Sequence, residues 1–492
     1  MAIDPIHVVL FPFMSKGHTI PILSLSRLLL LRHGSSVTIF TTTANRPFIA
    51  ASLSDTAASI IALPFPDNIP GLPSGVESTD KLPSISLFST FTAATNLIKP
   101  HFEKALQALP KVTFIVSDGF LPWTLQSASK FRIPRLVFYG MSNHAMSLCH
   151  DVIANRLLLE TESDDEPFSV TNFPWIKLTK NDFEPVMSDR NQQETPESDF
   201  LMEQFLATSR SYGLIVNSFY NLEPLYLDHW NRNCAPKAWC VGPLCLAEPP
   251  RVELEPHRKP PWVRWLDQKR AQGCSVLYIA FGSQAEISPE QFSEIKIGLE
   301  KSEVNFLWVV RRNESELGVG DGFEERVKER GMVVREWVNQ REILEHESVQ
   351  GFLSHCGWNS VLESICAKVP ILGWPMMADQ HLNARMVVEE MKVGLRVETW
   401  NGSVRGFVKW EGLKKTVEEL MVGEMGKEAR KKVKEVGGAA VKAVEEGGSS
   451  WRTLHELIDE VKTSRKKKKK GEEEEGWVCR SGGGGRRRKK EK

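Results

Sequence analysis

Short, mostly apolar runs that end in polar or glycine residues recur along the whole chain and constrain its fold most. Val8–Phe13, Val112–Val116 and Arg135–Tyr139 are such runs in the first half. Val276–Phe281 and Gly351–Leu353 repeat the pattern in the second half. Runs of this length are typical of buried strands, and the segments between them are long enough for helices. The alternation predicts an α/β fold with parallel sheets.

A Pro-rich segment separates two such halves. Residues 246–261 contain Glu-Pro-Pro and Lys-Pro-Pro and have the composition of a linker. We therefore expect an N-terminal domain over 1–245 and a second domain over 262–445. Residues 446–462 should form a C-terminal helix that packs back on the N-terminal domain. The charged repeats of 463–492 predict a disordered tail.

Two segments are predicted to be helices, one near the N-terminus and one near the C-terminus. Residues 20–31 should form a helix after a strand-to-turn segment that contains Gly17-His18. Residues 411–446 have amphipathic spacing, and we expect this helix to break at the glycines near Gly437.

Charge and cysteine usage narrow the possible classes of protein. The tail from Thr463 holds 13 Lys and Arg against 5 Glu, so the rest of the chain is mildly acidic. An acidic body argues against a broad nucleic-acid surface. The tail itself could still be a nuclear-import or nucleic-acid patch, or merely solvated low-complexity sequence.

The eight cysteines form no CxxC pair, which indicates reduced thiols. A zinc site from Cys234, Cys240 and Cys245 is conceivable, but their spacing fits no ligand pattern. The N-terminus has no signal-peptide pattern, and the apolar run at Ile22–Leu31 is too short to cross a bilayer. We expect a cytoplasmic monomer without stable membrane insertion.

Two residues of the first half are candidates for acid–base chemistry. His18 follows the first strand, and Asp118 follows the strand Val112–Val116. A histidine there can act as general base, and a carboxylate can orient it and stabilise its charged form. A turn-filling His and an Asp that binds backbone N–H groups are the structural alternatives.

The stretch Trp337–Gln380 places polar residues at the ends of its apolar runs. Asn359 and Ser360 open a helix after His355, and helix N-termini bind phosphate, although plain capping is the alternative. Glu363 lies on the same helix face and could bind ribose hydroxyls. Gly282-Ser283 offers a second turn of this kind. No GxGxxG follows the first strand and no Walker motif occurs, which argues against dehydrogenases and P-loop NTPases.

Trp337–Gln380 resembles, at nearly every diagnostic position, the signature box of plant UDP-dependent family 1 glycosyltransferases. Gly17-His18, Ser117-Asp118 and Ala280–Ser283 resemble further landmarks of that family, and the resemblance spans residues 5–462. It implies a GT-B fold of two Rossmann-like domains that face a cleft. The N-terminal domain would bind the acceptor and the C-terminal domain a UDP-sugar, without metal or cofactor.

The resemblance also implies roles for single residues. Trp337 would stack on uracil, with Val338 and Gln340 beside it, and Glu363 would hold the ribose. The diphosphate would bind Ser283, His355, Gly357, Asn359 and Ser360, and the sugar would bind Trp358, Asp379 and Gln380. Gln380 favours UDP-glucose as the co-substrate. Gly140 and Met141 leave only Ser142 to contact the sugar from the other side, so another sugar stays open.

These expectations add up to an inverting transfer of glucose to a small phenolic acceptor such as a flavonoid, with His18 as the base steered by Asp118. The acceptor wall is predicted to include Phe120, Trp123, Ser142 and His144, beside the loop 185–205. Attachment to oxygen, nitrogen, sulfur or carbon stays open. The alternative is a catalytically inactive nucleotide-sugar-binding or regulatory protein on the same fold.

Overall fold

Two parallel sheets, one in each half of the chain, form the framework of the protein. The computed structural model describes residues 6–187, 195–247, 258–310 and 322–464. The predicted linker 246–261 lies mostly outside these ranges, and the predicted tail 463–492 almost entirely so. The predicted α/β class with two Rossmann-like parallel sheets is confirmed.

The strands of the first half are β1 (His7–Phe11), β2 (Ser36–Thr42), β3 (Ser59–Leu63), β4 (Phe114–Asp118), β5 (Arg135–Tyr139), β6 (Phe168–Ser169), β7 (Lys177–Leu178), β8 (Gly213–Val216) and β9 (Ala238–Cys240). Within the described ranges, seven of them form one sheet in the order β3-β2-β1-β4-β5-β8-β9, with parallel neighbours throughout. β6 and β7 form a separate antiparallel pair.

The strands of the second half are β10 (Val276–Ala280), β11 (Asn305–Val309), β12 (Gly331–Val334), β13 (Val349–Ser354), β14 (Ile371–Gly373) and β15 (Gly394–Arg396). They form a parallel sheet in the order β12-β11-β10-β13-β14-β15. β1, β4 and β10 are buried along their whole length. A parallel sheet is covered by helices on both faces, which explains their nearly continuous apolar sequences.

The helices are α1 (Lys16–His33), α2 (Arg46–Ser52), α3 (Phe88–Thr95), α4 (Lys99–Ala108), α5 (Thr124–Lys130), α6 (Asn143–Ala154), α7 (Pro196–Ser209), α8 (Pro224–Asn233), α9 (Pro261–Ala271), α10 (Pro289–Ser302), α11 (Phe323–Val327), α12 (Gln340–Leu344), α13 (Trp358–Ala367), α14 (Gln380–Arg385), α15 (Trp410–Val422), α16 (Glu424–Val444) and α17 (449–464). Four of them begin at a proline, where the missing N–H has no intrahelical acceptor to lose. Among the described residues, no helix is long and apolar enough to cross a membrane.

Each sheet reverses its strand order beside its first strand. β1 lies between β2 and β4, and β10 lies between β11 and β13. Such switch points open a crevice at the carboxyl ends of the strands, where α/β proteins bind ligands. Asp118 is the last residue of β4, and His18 lies in the first turn of the helix that follows β1. Ser283 and His355 follow β10 and β13, so the two crevices carry candidate residues of both halves.

Helix α17, which follows α16, packs on the first domain. Leu454, Leu457, Ile458 and Val461 of α17 are buried in the same apolar cluster as the core of the first sheet, including Val8. The chain therefore crosses from the second domain back to the first after α16.

Two helix predictions need correction. α1 begins at Lys16 rather than Ile20, so His18 lies in its first turn and not in a preceding loop. The long C-terminal helix breaks at Gly423, where the backbone is extended, and continues through Gly437 without interruption. A Cβ at Gly437 would lie 2.5 Å from the carbonyl oxygen of Ile365, so this glycine serves the close packing of α16 on α13.

Candidate active site

A cavity of about 1590 Å³ lies between the two domains and is lined by residues of both. It is larger than the roughly 300–1,000 Å³ of a site for one drug-sized ligand. The cavity therefore has room for two ligands side by side.

The pairing of β1 with β4 brings His18 and Asp118 together. Phe11 lies opposite Ser117 in the sheet, so the residues that follow the two strands emerge beside each other. His18 Nδ1 lies 2.8 Å from Asp118 Oδ2, and Asp118 Oδ1 accepts the N–H of Phe120 at 2.9 Å. Asp118 is fully buried and held from both sides, so it can fix the imidazole with Nε2 left to accept a proton.

The pKa of His18 reflects opposing influences. Burial lowers it, but the charge of Asp118, its hydrogen bond and the charge of Asp379 together outweigh burial, and the pKa is raised above its ordinary value. The rings of Phe13 and Phe120 pack against the imidazole, with centroids 5.5 and 4.7 Å away. The imidazole of His18 is therefore more basic than that of an ordinary histidine, and it lies in a largely apolar pocket.

His355 is packed between two glycines at the carboxyl end of the strands of the second sheet. A Cβ at Gly282 would lie 2.7 Å from His355 Nε2, and a Cβ at Gly357 would lie 2.5 Å from it. Cys356 takes a left-handed conformation, with φ of 61°, to turn the chain into α13. Burial lowers the pKa of His355 to about 4, so the imidazole is neutral near pH 7. It can therefore donate a hydrogen bond to an anion but brings no charge.

The first turn of α13 adds further donors to this anion site. Gly357 is the N-cap, and the first N–H groups of a helix have no intrahelical acceptor. Ser360 and Ser283 line the same part of the cavity. Helix N-termini of this kind attract phosphate through free N–H groups and the helix dipole.

A hydrogen-bonded pair fixes the carboxylate of Glu363. Gln340 Nε2 donates to Glu363 Oε2 at 2.7 Å and to Ser360 Oγ at 2.8 Å. Trp337 borders this region with 66% of its surface exposed, while Val338 behind it is buried. An indole left in solvent at a cavity edge offers a flat surface for a ring to stack on.

The loop before α14 carries Asp379 and Gln380 into the cavity. Gln380 Oε1 accepts the N–H groups of Met376 and Met377 at 2.9 and 3.1 Å. Asp379 accepts a hydrogen bond from Asn383 at 2.9 Å. Burial raises the pKa of Asp379 to about 6, against the opposing effect of that hydrogen bond.

Trp358 and Asn359 form contacts across the cleft. The indole N–H of Trp358 donates to the carbonyl of Asn217 at 2.7 Å. Asn359 Nδ2 donates to the carbonyl of Gly17 at 2.5 Å, and its Oδ1 accepts from Asn217 at 3.2 Å. The Trp358 side chain is thus committed to the other domain, which leaves its backbone N–H for a ligand.

Of the four predicted acceptor residues, only Phe120 lines the cavity. Trp123, the N-cap of α5, is 2% exposed and packs with Phe11 and Phe102 in the core. Its indole N–H donates to Thr95 Oγ1 at 3.3 Å. The prediction that Trp123 forms part of the acceptor wall is therefore wrong.

Ser142 and His144 are also removed from the acceptor wall, because the start of α6 directs both inward. Ser142 is the N-cap of α6, and its hydroxyl donates to Asn383 Oδ1 at 3.2 Å. Asn383 in turn donates to Asp379, so Ser142 is linked to Asp379 through Asn383. His144 is buried against Tyr226, and burial lowers its pKa to about 3.

Most of the wall near His18 comes from the predicted segment 185–205, which is not a loop throughout, because α7 begins at Pro196. Its cavity-lining residues are Met187, Phe200, Leu201, Gln204 and Phe205, whereas sequence reasoning missed Phe88 of α3, Phe183, and Thr208 of α7. The spacing of the α7 residues follows one helix face, which was a usable signal. Asp182 and Glu184 also contact the second domain, at Arg385 and Ala378 respectively. No local sequence pattern indicates these two contacts.

The described residues contain no group of three His, Cys, Asp or Glu side chains able to hold a metal ion. Cys234, Cys240 and Cys245, considered above for zinc, lie apart, beside His150, Asn143 and Cys366 respectively.

Comparisons with known proteins agree with this geometry. The sequence model of the family described as UDP-glucoronosyl and UDP-glucosyl transferase matches residues 258–432. The chain is 55% identical over 472 residues to UDP-glycosyltransferase 90A1 of Arabidopsis thaliana, covering 93% of this chain and 97% of that protein. It is 36% identical to UDP-glucose flavonoid 3-O-glucosyltransferase 7 of Fragaria ananassa, covering 93% and 96%.

The crystal structure of UGT73P12 from Glycyrrhiza uralensis, complexed with glycyrrhetinic acid 3-O-monoglucuronide, is similar with a TM-score of 0.85. Its sequence is 30% identical, and the match covers 97% of this chain and all of that one. The fold is that of GT-B transferases, and the family uses a UDP-sugar as co-substrate. The chain therefore belongs to the plant UDP-dependent glycosyltransferases, which transfer a sugar from a UDP-sugar to a small-molecule acceptor.

Proposed function

We propose that this enzyme transfers glucose from UDP-glucose to a small phenolic acceptor such as a flavonoid, with inversion and with His18 as general base. The observation that carries the proposal is the His18–Asp118 pair, whose histidine lines the cavity together with Asp379 and Gln380. The pair supplies a base on the acceptor side, and the turns of the second sheet supply the anion site on the donor side.

The proposed reaction is a single displacement. His18 Nε2 takes the proton of the acceptor hydroxyl while its oxygen attacks the anomeric carbon. The bond from that carbon to the diphosphate oxygen breaks, and its electron pair leaves with UDP. Asp118 stabilises the resulting imidazolium. Attack opposite the leaving group converts the α-linked donor into a β-linked product.

Each part of the UDP-sugar is bound by its own group of residues in the second domain. Trp337 stacks on uracil beside Val338 and Gln340, and Glu363 holds the ribose hydroxyls. Neutral His355, Gly357, Ser360 and Ser283 bind the diphosphate, with Asn359 beside them, and the first turn of α13 stabilises its charge as UDP leaves. Asp379 and Gln380 bind the glucose, together with the backbone of Trp358.

Three phenylalanines beside His18 support an aromatic acceptor. Phe88, Phe120 and Phe200 contact each other edge to face, with centroids 5.8 to 6.3 Å apart. All three line the cavity, and Phe120 also touches the imidazole. A planar phenol can stack among them with its hydroxyl toward His18. The similarity to a flavonoid glucosyltransferase of Fragaria ananassa agrees with this class of acceptor.

Gln204 supports a second polar group on the acceptor. It lines the cavity, is 6% exposed, and its side chain has no hydrogen-bond partner among the described residues. Its amide is thus available to the cavity, where an acceptor with a hydroxyl or carbonyl away from the reacting oxygen could form a hydrogen bond with it. The seven cysteines in the described ranges are free, as expected for the reducing cytoplasm in which we propose that the enzyme works, as a monomer.

The test of the proposal is His18→Ala, assayed with UDP-glucose and a flavonol. We expect transfer to fall roughly 10²- to 10⁴-fold, the usual contribution of a general base, while the Kd of UDP stays unchanged. His101→Ala, an exposed histidine on α4, is the control and should retain full activity. Turnover of His18→Ala equal to that of the control would refute the assigned role.

A further inference from the structure

The segment 179–184 of the first domain reaches across the cleft to the loop that holds Asp379 and Gln380. It contains a 3-10 turn at Lys180–Asp182, closed by reciprocal hydrogen bonds between Thr179 and Asp182. Both Asp182 and Glu184 then bind groups of the second domain. This makes the segment part of the donor side, although it belongs to the acceptor domain.

Asp182 anchors the segment. It is fully buried and forms a two-point ion pair with Arg385, at 2.7 Å from Nε and 2.8 Å from Nη2. Burial alone would raise the pKa of Asp182, but the hydrogen bonds and charge of Arg385 lower it below its ordinary value. Arg385 ends α14, the helix that begins at Gln380, so the anchor lies one helix length from the predicted sugar contact.

Glu184 binds the loop itself. Its Oε1 accepts the backbone N–H of Ala378 at 2.6 Å. Ala378 has φ of 53°, a left-handed conformation that a residue with a Cβ adopts rarely, so an outside contact is needed to hold it. The residue that follows it is Asp379.

Arg405 holds Glu184 in place. It donates to Glu184 Oε1 at 3.3 Å and to the carbonyl oxygens of Asn181 and Phe183, both at 2.9 Å. The carboxylate is therefore fixed by a cation of the second domain while it binds a backbone group of that domain.

Three consecutive N–H groups of the loop are thus satisfied by two side chains. Gln380 accepts those of Met376 and Met377, and Glu184 accepts that of Ala378. We propose that Glu184 is a positioning residue for the sugar-binding loop 376–380, supplied by the acceptor domain. This inference rests on the proposed role of Asp379 and Gln380 in binding the sugar.

The same segment forms part of the acceptor wall. Phe183, Val186 and Met187 line the cavity on either side of Glu184. The shape of the acceptor wall and the geometry of the sugar loop are therefore set by one short stretch of chain. The uracil, ribose and diphosphate residues lie on other turns of the second domain.

The experiment compares Glu184→Ala, Glu184→Gln and Glu286→Ala. The glutamine keeps an oxygen that can accept the N–H of Ala378. Glu286 is the matched control, because it also accepts a backbone N–H across the cleft, that of Ile85 at 3.0 Å, in place of one from the sugar loop. The measurements are kcat and KM for UDP-glucose, and the Kd of UDP alone by calorimetry.

For Glu184→Ala we expect kcat/KM for UDP-glucose to fall about 10- to 100-fold, the factor expected for losing a charged hydrogen bond, with the Kd of UDP within twofold of the unmodified enzyme. Glu184→Gln should recover most of the loss, and Glu286→Ala should change kcat/KM by less than about threefold. An unchanged kcat/KM in Glu184→Ala would overturn the proposal. So would an equal loss in UDP binding, or an equal effect of Glu286→Ala.

Gln380→Ala separates this inference from the function on which it rests. If Gln380→Ala leaves KM for UDP-glucose unchanged, the assignment of the sugar site fails. If Gln380→Ala raises KM and Glu184→Ala does not, the sugar site stands and only the positioning role of Glu184 is refuted.

Discussion

At the scale of single residues, two carboxylates from different domains act on His18. Asp118 binds its Nδ1 at 2.8 Å, and the charge of Asp379 adds to the effect from across the cavity. Together they outweigh the burial that would otherwise lower the pKa of the imidazole. His18 accepts a proton only in its neutral form, so the rate should rise with pH through this raised pKa.

Asp118→Asn tests that dependence. Removing the charge lowers the pKa of His18, so the acidic limb of the pH–rate profile should move to lower pH. The maximal rate should fall roughly 10²- to 10⁴-fold, because the base becomes weaker and loses its orientation. Asp228→Asn, on the outer surface of α8, is the control. An acidic limb at the same pH as in the unmodified enzyme would show that Asp118 does not set the pKa of His18.

The two halves of the site differ in how far the sequence predicts them. Most donor candidates lie in one continuous stretch of sequence. The turn between β13 and α13 places them at one end of the second sheet. Side-chain direction at the start of a helix is decided by packing, so Ser142 and His144 could not be distinguished from true wall residues. The contact of Glu184 with Ala378 joins residues 194 positions apart, and neither residue has a local pattern that indicates it.

At the scale of elements, the contact of α16 with α13 depends on one glycine. A Cβ at Gly437 would meet the carbonyl oxygen of Ile365 in α13, whereas a Cβ at its neighbour Gly438 would meet nothing within 4 Å. Sequence reasoning expected a break at these glycines, because glycine lowers helix propensity. The helix continues because the packing on α13 outweighs the propensity of its residues.

Gly437→Ala and Gly438→Ala form a matched pair for this contact. The new methyl group at 437 would meet the backbone of Ile365, and we expect a loss of about 1–3 kcal/mol in the free energy of unfolding. The methyl group at 438 meets nothing, so a gain of about 0.5–1 kcal/mol is expected from helix propensity. Midpoints of urea unfolding measure both, and shifts of the same sign would contradict this explanation.

At the scale of the whole molecule, α17 completes the core of the first domain. The alternation of strands and helices was sufficient to predict two parallel sheets. It missed β3 and β15, which are sheet edges with short or half-exposed sequences. α17 follows the second domain in sequence but contributes four buried side chains to the core of the first.

Truncation tests the role of α17. A chain that ends at Ser464 lacks the charged tail, and we expect it to retain activity and thermal stability. A chain that ends at Glu446 also loses Leu454, Leu457, Ile458 and Val461, each worth about 1.5–3 kcal/mol when fully buried. The sum is comparable to the whole stability of a domain, so the first domain should unfold or aggregate. Equal melting temperatures for the two truncated chains would contradict this role.

The most direct test of proton transfer to His18 is to measure kcat/KM of His18→Ala and of the unmodified enzyme with a series of phenols of decreasing pKa. The quantity compared is the loss in kcat/KM for each phenol. A phenol that is protonated at the assay pH needs the base, so kcat/KM should fall roughly 10²- to 10⁴-fold in the variant. A nitrophenol that is already ionised needs no base, and its loss should shrink below about 10-fold. An equal loss for every phenol, whatever its pKa, would contradict His18 as the general base.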